Sequence, residues 1–284
     1  MILSADDFGI SPAVDEGILM LIEKNIISSV SCMVTGTNPS LTKNLDQLKR
    51  YDKKIDVGLH LVLTDHEPLV AHSVSSGLIG KSGHFHSLKS LGLRAYSGQV
   101  SPDSLDLEIK NQVESFTSIF GRGPDFIDGH QHIQQYPVIR NSIMIAMKSF
   151  PSLKYIRIAN LPNHWIWSSA KSVSPRFAIE NLALAIPGRQ AAAVFAKENI
   201  PHNRYLLGYY RHTPDVQFKT IFSKYLSIKP QSKDIFFCHP GFIDEHLKKV
   251  DSLVSSRLDN LKFLLSAEFE DLCFINKISI NKFI

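Results

Sequence analysis

Four short stretches set carboxylates and imidazoles at spacings that could do chemistry: Ala5-Asp6-Asp7-Phe8-Gly9, Gly58-Leu59-His60-Leu61, Asp128-Gly129-His130-Gln131-His132 and Cys238-His239-Pro240-Gly241. Adjacent carboxylates such as Asp6 and Asp7 repel each other, so the pair costs stability unless a cation, an arginine or a proton-transfer role offsets it. The bland alternative is one Asp capping a turn beside another that is solvated. His60 closes an otherwise apolar run, where a lone histidine is more often a hydrogen-bonded structural residue than a ligand. Asp128, His130 and His132 are sharper, because clustered imidazoles with a carboxylate suit zinc, iron and similar ions. In an extended segment His130 and His132 would point the same way and face one site. The competing possibility is a polar surface turn. His239 follows the apolar run Phe236-Phe237-Cys238 and is either held by a backbone carbonyl or presented as an acid or base. Together, two Asp and two or three His on one rim give a three-ligand site with open positions for water and substrate. That is the pattern of a catalytic metal, with one carboxylate left to take the water's proton.

Along the chain that carries these residues, short apolar β-rich runs alternate with amphipathic helical stretches. The alternation predicts a parallel α/β sheet or barrel. Strands are expected over 2–4, 30–34, 55–59, 125–128, 155–158, 205–210 and 234–238. Ser11 and Pro12 open the first helix, Ser101-Pro102 open another that Gly121 and Gly123-Pro124 stop, and a long helix is expected over 255–272. Asp6-Asp7, His60, the 128–132 cluster and His239 each sit just past the end of an expected strand, the edge where barrel chemistry collects. Residues 64–101 are rich in His, Ser and Gly with little periodicity and read as a lid or insertion. Its His84, His86 and Arg94, with Tyr209, Tyr210, Trp165 and Trp167, could supply an aromatic and polar surface to a ligand, although most are better explained as ordinary packing or surface residues.

With 284 residues and 44% hydrophobic content, one domain over 1–284 with a full core is expected. Thirty-one Lys+Arg against 27 Asp+Glu leave a formal charge of +4 that is spread along the chain, so no nucleic-acid partner is implied. Asp6 and Asp7 stand where a signal peptide would need an apolar core, and no stretch is long enough to span a bilayer. Cys32, Cys238 and Cys273 lie in apolar runs and suit reduced core thiols. A cytoplasmic location is therefore expected.

The four motifs, in this order, together with Leu63-Thr64 and Phe242-Ile243-Asp244, resemble those of the YdjC-like carbohydrate deacetylases, a family that includes chitooligosaccharide deacetylase and hopanoid-biosynthesis-associated members. The resemblance implies a distorted, TIM-like (β/α) barrel similar to that of the polysaccharide deacetylases. It implies metal-dependent removal of an N-acetyl group from an amino sugar or oligosaccharide, with one divalent ion, zinc or magnesium, held by Asp7, His60 and His130. Asp6 would be the general base and His239 the acid, while His132, Arg157 and Asp128 would line the site or assist, Asp128 by orienting His130. It also suggests a homodimer. The chain departs from the family's pattern at Ser4, Gly129 and Gln134, where Asn or Thr, Ser and His are common. Two other functions fit a rim of Asp and His: a metal phosphoesterase on a similar barrel, and a sugar-binding protein without turnover.

Overall fold

The computed structural model describes every position except 37, 164, 166–174, 214, 215 and 284; Trp167 lies outside the described residues. The chain divides into two compact units. One is made of Met1–Cys32, Thr37–Val57 and Arg204–Ile284, the other of Met33–Gly36 and Gly58–Asn203.

In the first unit, β1 (Ile2–Phe8) is flanked by β2 (Ser29–Cys32) and β7 (Ile235–Cys238), with β6 (Leu206–Leu207) beyond β7. These strands pair in parallel. Apolar side chains on both faces of these strands are buried, as expected where helices cover a parallel sheet. Helix α1 (Pro12–Glu23) starts as its sequence predicts: the Ser11 hydroxyl accepts from the Val14 N–H, Pro12 takes the first turn, and Val14, Ile18, Leu21 and Ile22 are buried. Two expectations change. β1 extends through Phe8 instead of stopping at Ser4, which places Asp6 and Asp7 inside the strand. The single helix expected over 255–272 is two, Ser255–Leu264 and Ala267–Ile275, because the Ser266 side chain caps the second by accepting from the Phe269 N–H.

In the second unit the strand order is β3 (Asp56–Leu61, from Gly58 onward), β4 (Phe126–Gly129) and β5 (Tyr155–Ile156), again parallel. Helix α4 (Pro102–Phe120) runs from the Ser101 cap to a left-handed Gly121, as predicted. Segment 64–101 has more structure than its composition suggested. It holds a helix, α3 (Leu88–Tyr96), and buries Leu78, Phe85 and Leu91. The buried Glu108 carboxylate anchors it by accepting from the Leu69 and Val70 N–H groups and from His72 Nε2. Among the described residues no helix is long and apolar enough to cross a membrane.

Gly58 is required for packing. A Cβ there would sit 2.4 Å from the Phe126 ring, which is itself stacked on Tyr155 at 4.9 Å. Gly58→Ala must therefore displace a packed aromatic pair, and we expect a loss of about 1–3 kcal/mol in unfolding free energy. An unchanged midpoint in urea denaturation would show that the stack yields freely.

Candidate functional site

The first unit gathers Asp6, Asp7 and His239. The β1–β2 register shifts between Ala5 and Phe8, so the alternation that would send the two carboxylates to opposite faces is broken there. Asp7 adopts φ 65°, a left-handed conformation that costs a non-glycine residue roughly 1–3 kcal/mol and tends to persist at functional sites. Behind it the buried Asp15 carboxylate accepts from the Gly9 N–H at 2.5 Å and from the side-chain amides of Asn38 and Asn44, which fixes the turn after the Asp pair. Burial still pushes the Asp15 carboxyl up to about 7, against those three donors.

Arg257, fully buried, donates from Nη2 to Asp7 Oδ2 at 2.7 Å and also pairs with Asp251. Burial works against its charge, yet the two carboxylates hold its pKa above the ordinary value. An arginine was one of the groups that could offset the adjacent carboxylates, and here it holds Asp7. His239 follows β7, its Nε2 3.8 Å from Asp7 Oδ2 and its N–H donating to Asn260 Oδ1. The His212 ring meets it edge-on at 5.5 Å. Burial, then the Arg257 charge, lowers the His212 pKa to about 4, so this imidazole is neutral at physiological pH.

The second unit gathers His60, Asp128, His130, His132 and Arg157. His60 Nδ1 lies 2.7 Å from Asp128 Oδ1, and Asp128 Oδ2 lies 2.7 Å from Arg157 Nη2, with all three side chains buried. Asp128 thus orients His60, whereas proximity in sequence had suggested the neighbouring His130. A carboxylate accepting from Nδ1–H fixes the tautomer in which Nε2 is the ligand atom. The His130 ring lies edge-on to His60 at 5.5 Å and to His66 at 5.8 Å.

His130 and His132 do not occupy an extended segment. They open a 3-10 turn, His130–Gln135, in which Gln131 and His132 take φ 58° and 59°. His132 still belongs to the group: its pKa falls to about 3, chiefly through burial and then through the charge of Arg157 and the proximity of His60. The departures at Gly129 and Gln134 are linked, because a Cβ at 129 would lie 2.8 Å from Gln134 Oε1. Gln134 is buried and donates to the Arg157 carbonyl at 2.7 Å, so it supports the arginine from below.

Asp128→Ala would strand the Arg157 charge in the interior. Breaking such a buried pair costs about 3–5 kcal/mol, which urea denaturation will register. A loss below 1 kcal/mol would mean that Arg157 finds another partner.

Arg257, His212, Asn260 and Asp15 were not singled out from the sequence. Only Arg257 had a signal, the unanswered charge of two adjacent carboxylates. Of the candidate sugar contacts, Tyr210 belongs to the first unit's group, its hydroxyl accepting from Asn260 Nδ2 at 3.0 Å, and Trp165 is buried. His84 is exposed, and Arg94 on α3 is half-buried. All three cysteines are free thiols, Cys32 and Cys238 in the core and Cys273 half-buried.

A family model described as YdjC-like protein matches residues 1–273. A chitooligosaccharide deacetylase of Serratia marcescens is 33% identical over 139 residues, 49% of this chain and 52% of that protein. A human carbohydrate deacetylase is 31% identical over 165 residues, 57% of this chain and 48% of its own length. The chain thus spans about half the length of the curated relatives it matches. The crystal structure of an Enterococcus faecalis protein, provisionally assigned to cellobiose-phosphate cleavage, superposes with a TM-score of 0.73 at 19% identity, covering 99% of this chain and 96% of that one. That likeness shows the fold, of the parallel (β/α) class expected.

Proposed function

The chain belongs to the YdjC-like family, and from that premise we propose that it is a metal-dependent carbohydrate deacetylase, hydrolysing the N-acetyl group of an amino sugar or oligosaccharide to acetate and a free amine. Relatives named as chitooligosaccharide and carbohydrate deacetylases support the substrate class. The observation that carries the metal is the buried His60–Asp128–Arg157 chain, which prepares His60 Nε2 as a ligand. Asp7 and His60, both buried, and the half-buried His130 supply one carboxylate and two imidazoles. This set suits zinc on ligand preference, with magnesium as the alternative.

A divalent ion held there would act as a Lewis acid, polarising the acetamido carbonyl and acidifying water. Asp6, beside the bulge, would accept the proton of the attacking water. His239, its Nε2 3.8 Å from Asp7 Oδ2, would return a proton to the departing amine. Arg257 would hold Asp7 in place, and neutral His132 with Arg157 would line the acyl side. The reading extends to a cytoplasmic enzyme with one deacetylase domain over 1–284, segment 64–101 as lid or insertion, working as a homodimer.

The test is product identity. Incubation with N-acetylated mono- and oligosaccharides should yield acetate and an equal amount of primary amine. Phosphate release from simple esters, with no acetate from any saccharide, would instead favour the phosphoesterase.

A further inference from the structure

Lysines and arginines that are spread along the sequence are gathered by the fold of the first unit. Because β1, β2 and β7 run parallel, each loop that leads from a helix back into a strand arrives at one edge of the sheet, where the strands begin. Lys24 follows α1 on the way to β2, and Lys49, Arg50, Lys53 and Lys54 end or follow α2 (Leu41–Lys49) on the way to β3. Lys229 and Lys233 precede β7, and all of these side chains are exposed. Backbone contacts hold the loops at one level: the Ser28 N–H donates to the Leu3 carbonyl, the Asp56 N–H to the Ser28 carbonyl, and the Ile2 N–H to the Asp234 carbonyl.

The helix Ala267–Ile275 delivers the chain to the same edge, since beyond it the Asn281 N–H donates to the Met1 carbonyl at 3.0 Å and Lys282 pairs with the buried Asp56. Its last turn leaves Phe274 86% and Ile275 71% exposed, and the exposed Lys277 follows. Two large apolar side chains left in water contribute little to folding and mark a surface that meets something else. The acidic groups here are mostly engaged: Asp56 and Asp234 are buried and held by Lys282 and Arg204, and Glu23 accepts from the Tyr51 hydroxyl. Asp46, Asp52 and Asp271 stand among the cations and are outnumbered by them.

Asp6, Asp7 and His239 lie at the opposite ends of β1 and β7, roughly 15–20 Å away at the rise of a strand, so the chemistry proposed for them does not account for this charge. We propose that the basic edge is a docking surface for an anionic lipid bilayer, its lysines meeting headgroup phosphates while Phe274 and Ile275 enter the boundary of the acyl chains. Clustered cations answer the diffuse negative charge of such a surface, and an apolar pair in their midst answers its hydrocarbon. Nucleic acid would answer the cations but gives an aliphatic side chain such as Ile275 nothing to enter. Docked in this way, the protein keeps the rim that carries Asp6, Asp7 and His239 on the side away from the lipid. Binding of this kind is independent of the deacetylase reading.

Co-sedimentation of the full chain with vesicles of phosphatidylcholine alone, and of phosphatidylcholine with about one-third phosphatidylglycerol, is the test. Wild type should pellet with the anionic vesicles and not with the neutral ones, and salt at about 1 M should release it by screening the lysines. The double variant Lys53→Glu, Lys54→Glu should lose about tenfold or more in partitioning, and Phe274→Ser about tenfold. All three side chains are exposed, so both variants should match the wild-type circular dichroism. Absence of binding to anionic vesicles, equal binding to neutral ones, or partitioning unchanged by the charge reversal would overturn the docking surface. So would a wild-type dimer in sedimentation velocity that Phe274→Ser makes monomeric, since a second copy would then cover the apolar pair, or salt-sensitive binding of a duplex oligonucleotide that anionic vesicles fail to displace.

Discussion

Asp6→Asn should retain the metal and lose about 10²–10⁴-fold in acetate release, the usual contribution of a positioned general base. The substitution is isosteric and removes only the capacity to take a proton. Asp6 is buried in β1 at the register shift, beside the left-handed Asp7. Asp7 is held by Arg257 at 2.7 Å, and Asp6 is the carboxylate assigned to proton transfer. Metal content by elemental analysis and acetate by enzymatic assay are the two readouts. Wild-type turnover in the variant would remove Asp6 from the mechanism, whereas loss of metal together with turnover would make it a ligand.

His60→Ala should have the largest effect, abolishing both metal binding and acetate release. Loss of an outer partner of a metal-bound histidine already costs about 10–100-fold, and here the ligand itself is removed. The substitution also strips Asp128 of its contact with His60, while Arg157 stays beside it. Some destabilisation is therefore expected, so metal stoichiometry should be read on protein whose circular dichroism matches wild type. His60→Gln, which keeps a hydrogen bond toward Asp128, should fold better than His60→Ala and be equally inactive. Full metal occupancy in either variant would exclude His60 as a ligand.

Much of this arrangement was legible in the amino-acid order because its signals are local. Ser11-Pro12 and Ser101-Pro102 announce helix starts, and the polar residues at 60, 128 and 239 interrupt or close apolar strands. What failed depends on backbone conformations that residue type does not announce. Nothing in Gly129-His130-Gln131-His132 reveals that Gln131 and His132 turn left-handed, so the period-two argument paired the two histidines for a reason that does not hold. Partners distant in the chain were equally hidden: Asp128 lies 68 residues from His60, and Arg257 lies 250 residues from Asp7. Strand registers and helix packing decide such pairs, and composition cannot. Segment 64–101 failed differently, since its His, Ser and Gly content masked a short helix and a buried apolar set.

Metal dependence of deacetylation is tested most directly by stripping the protein with a chelator and measuring acetate release from N-acetylated saccharides as zinc, magnesium, manganese or cobalt is returned. Acetate release should vanish on stripping and recover with at least one ion at a stoichiometry of about one per chain, the number a three-ligand catalytic site holds. Undiminished acetate release by the stripped protein would contradict the assignment of Asp7, His60 and His130 as metal ligands and leave Asp6 and His239 to be explained without an ion.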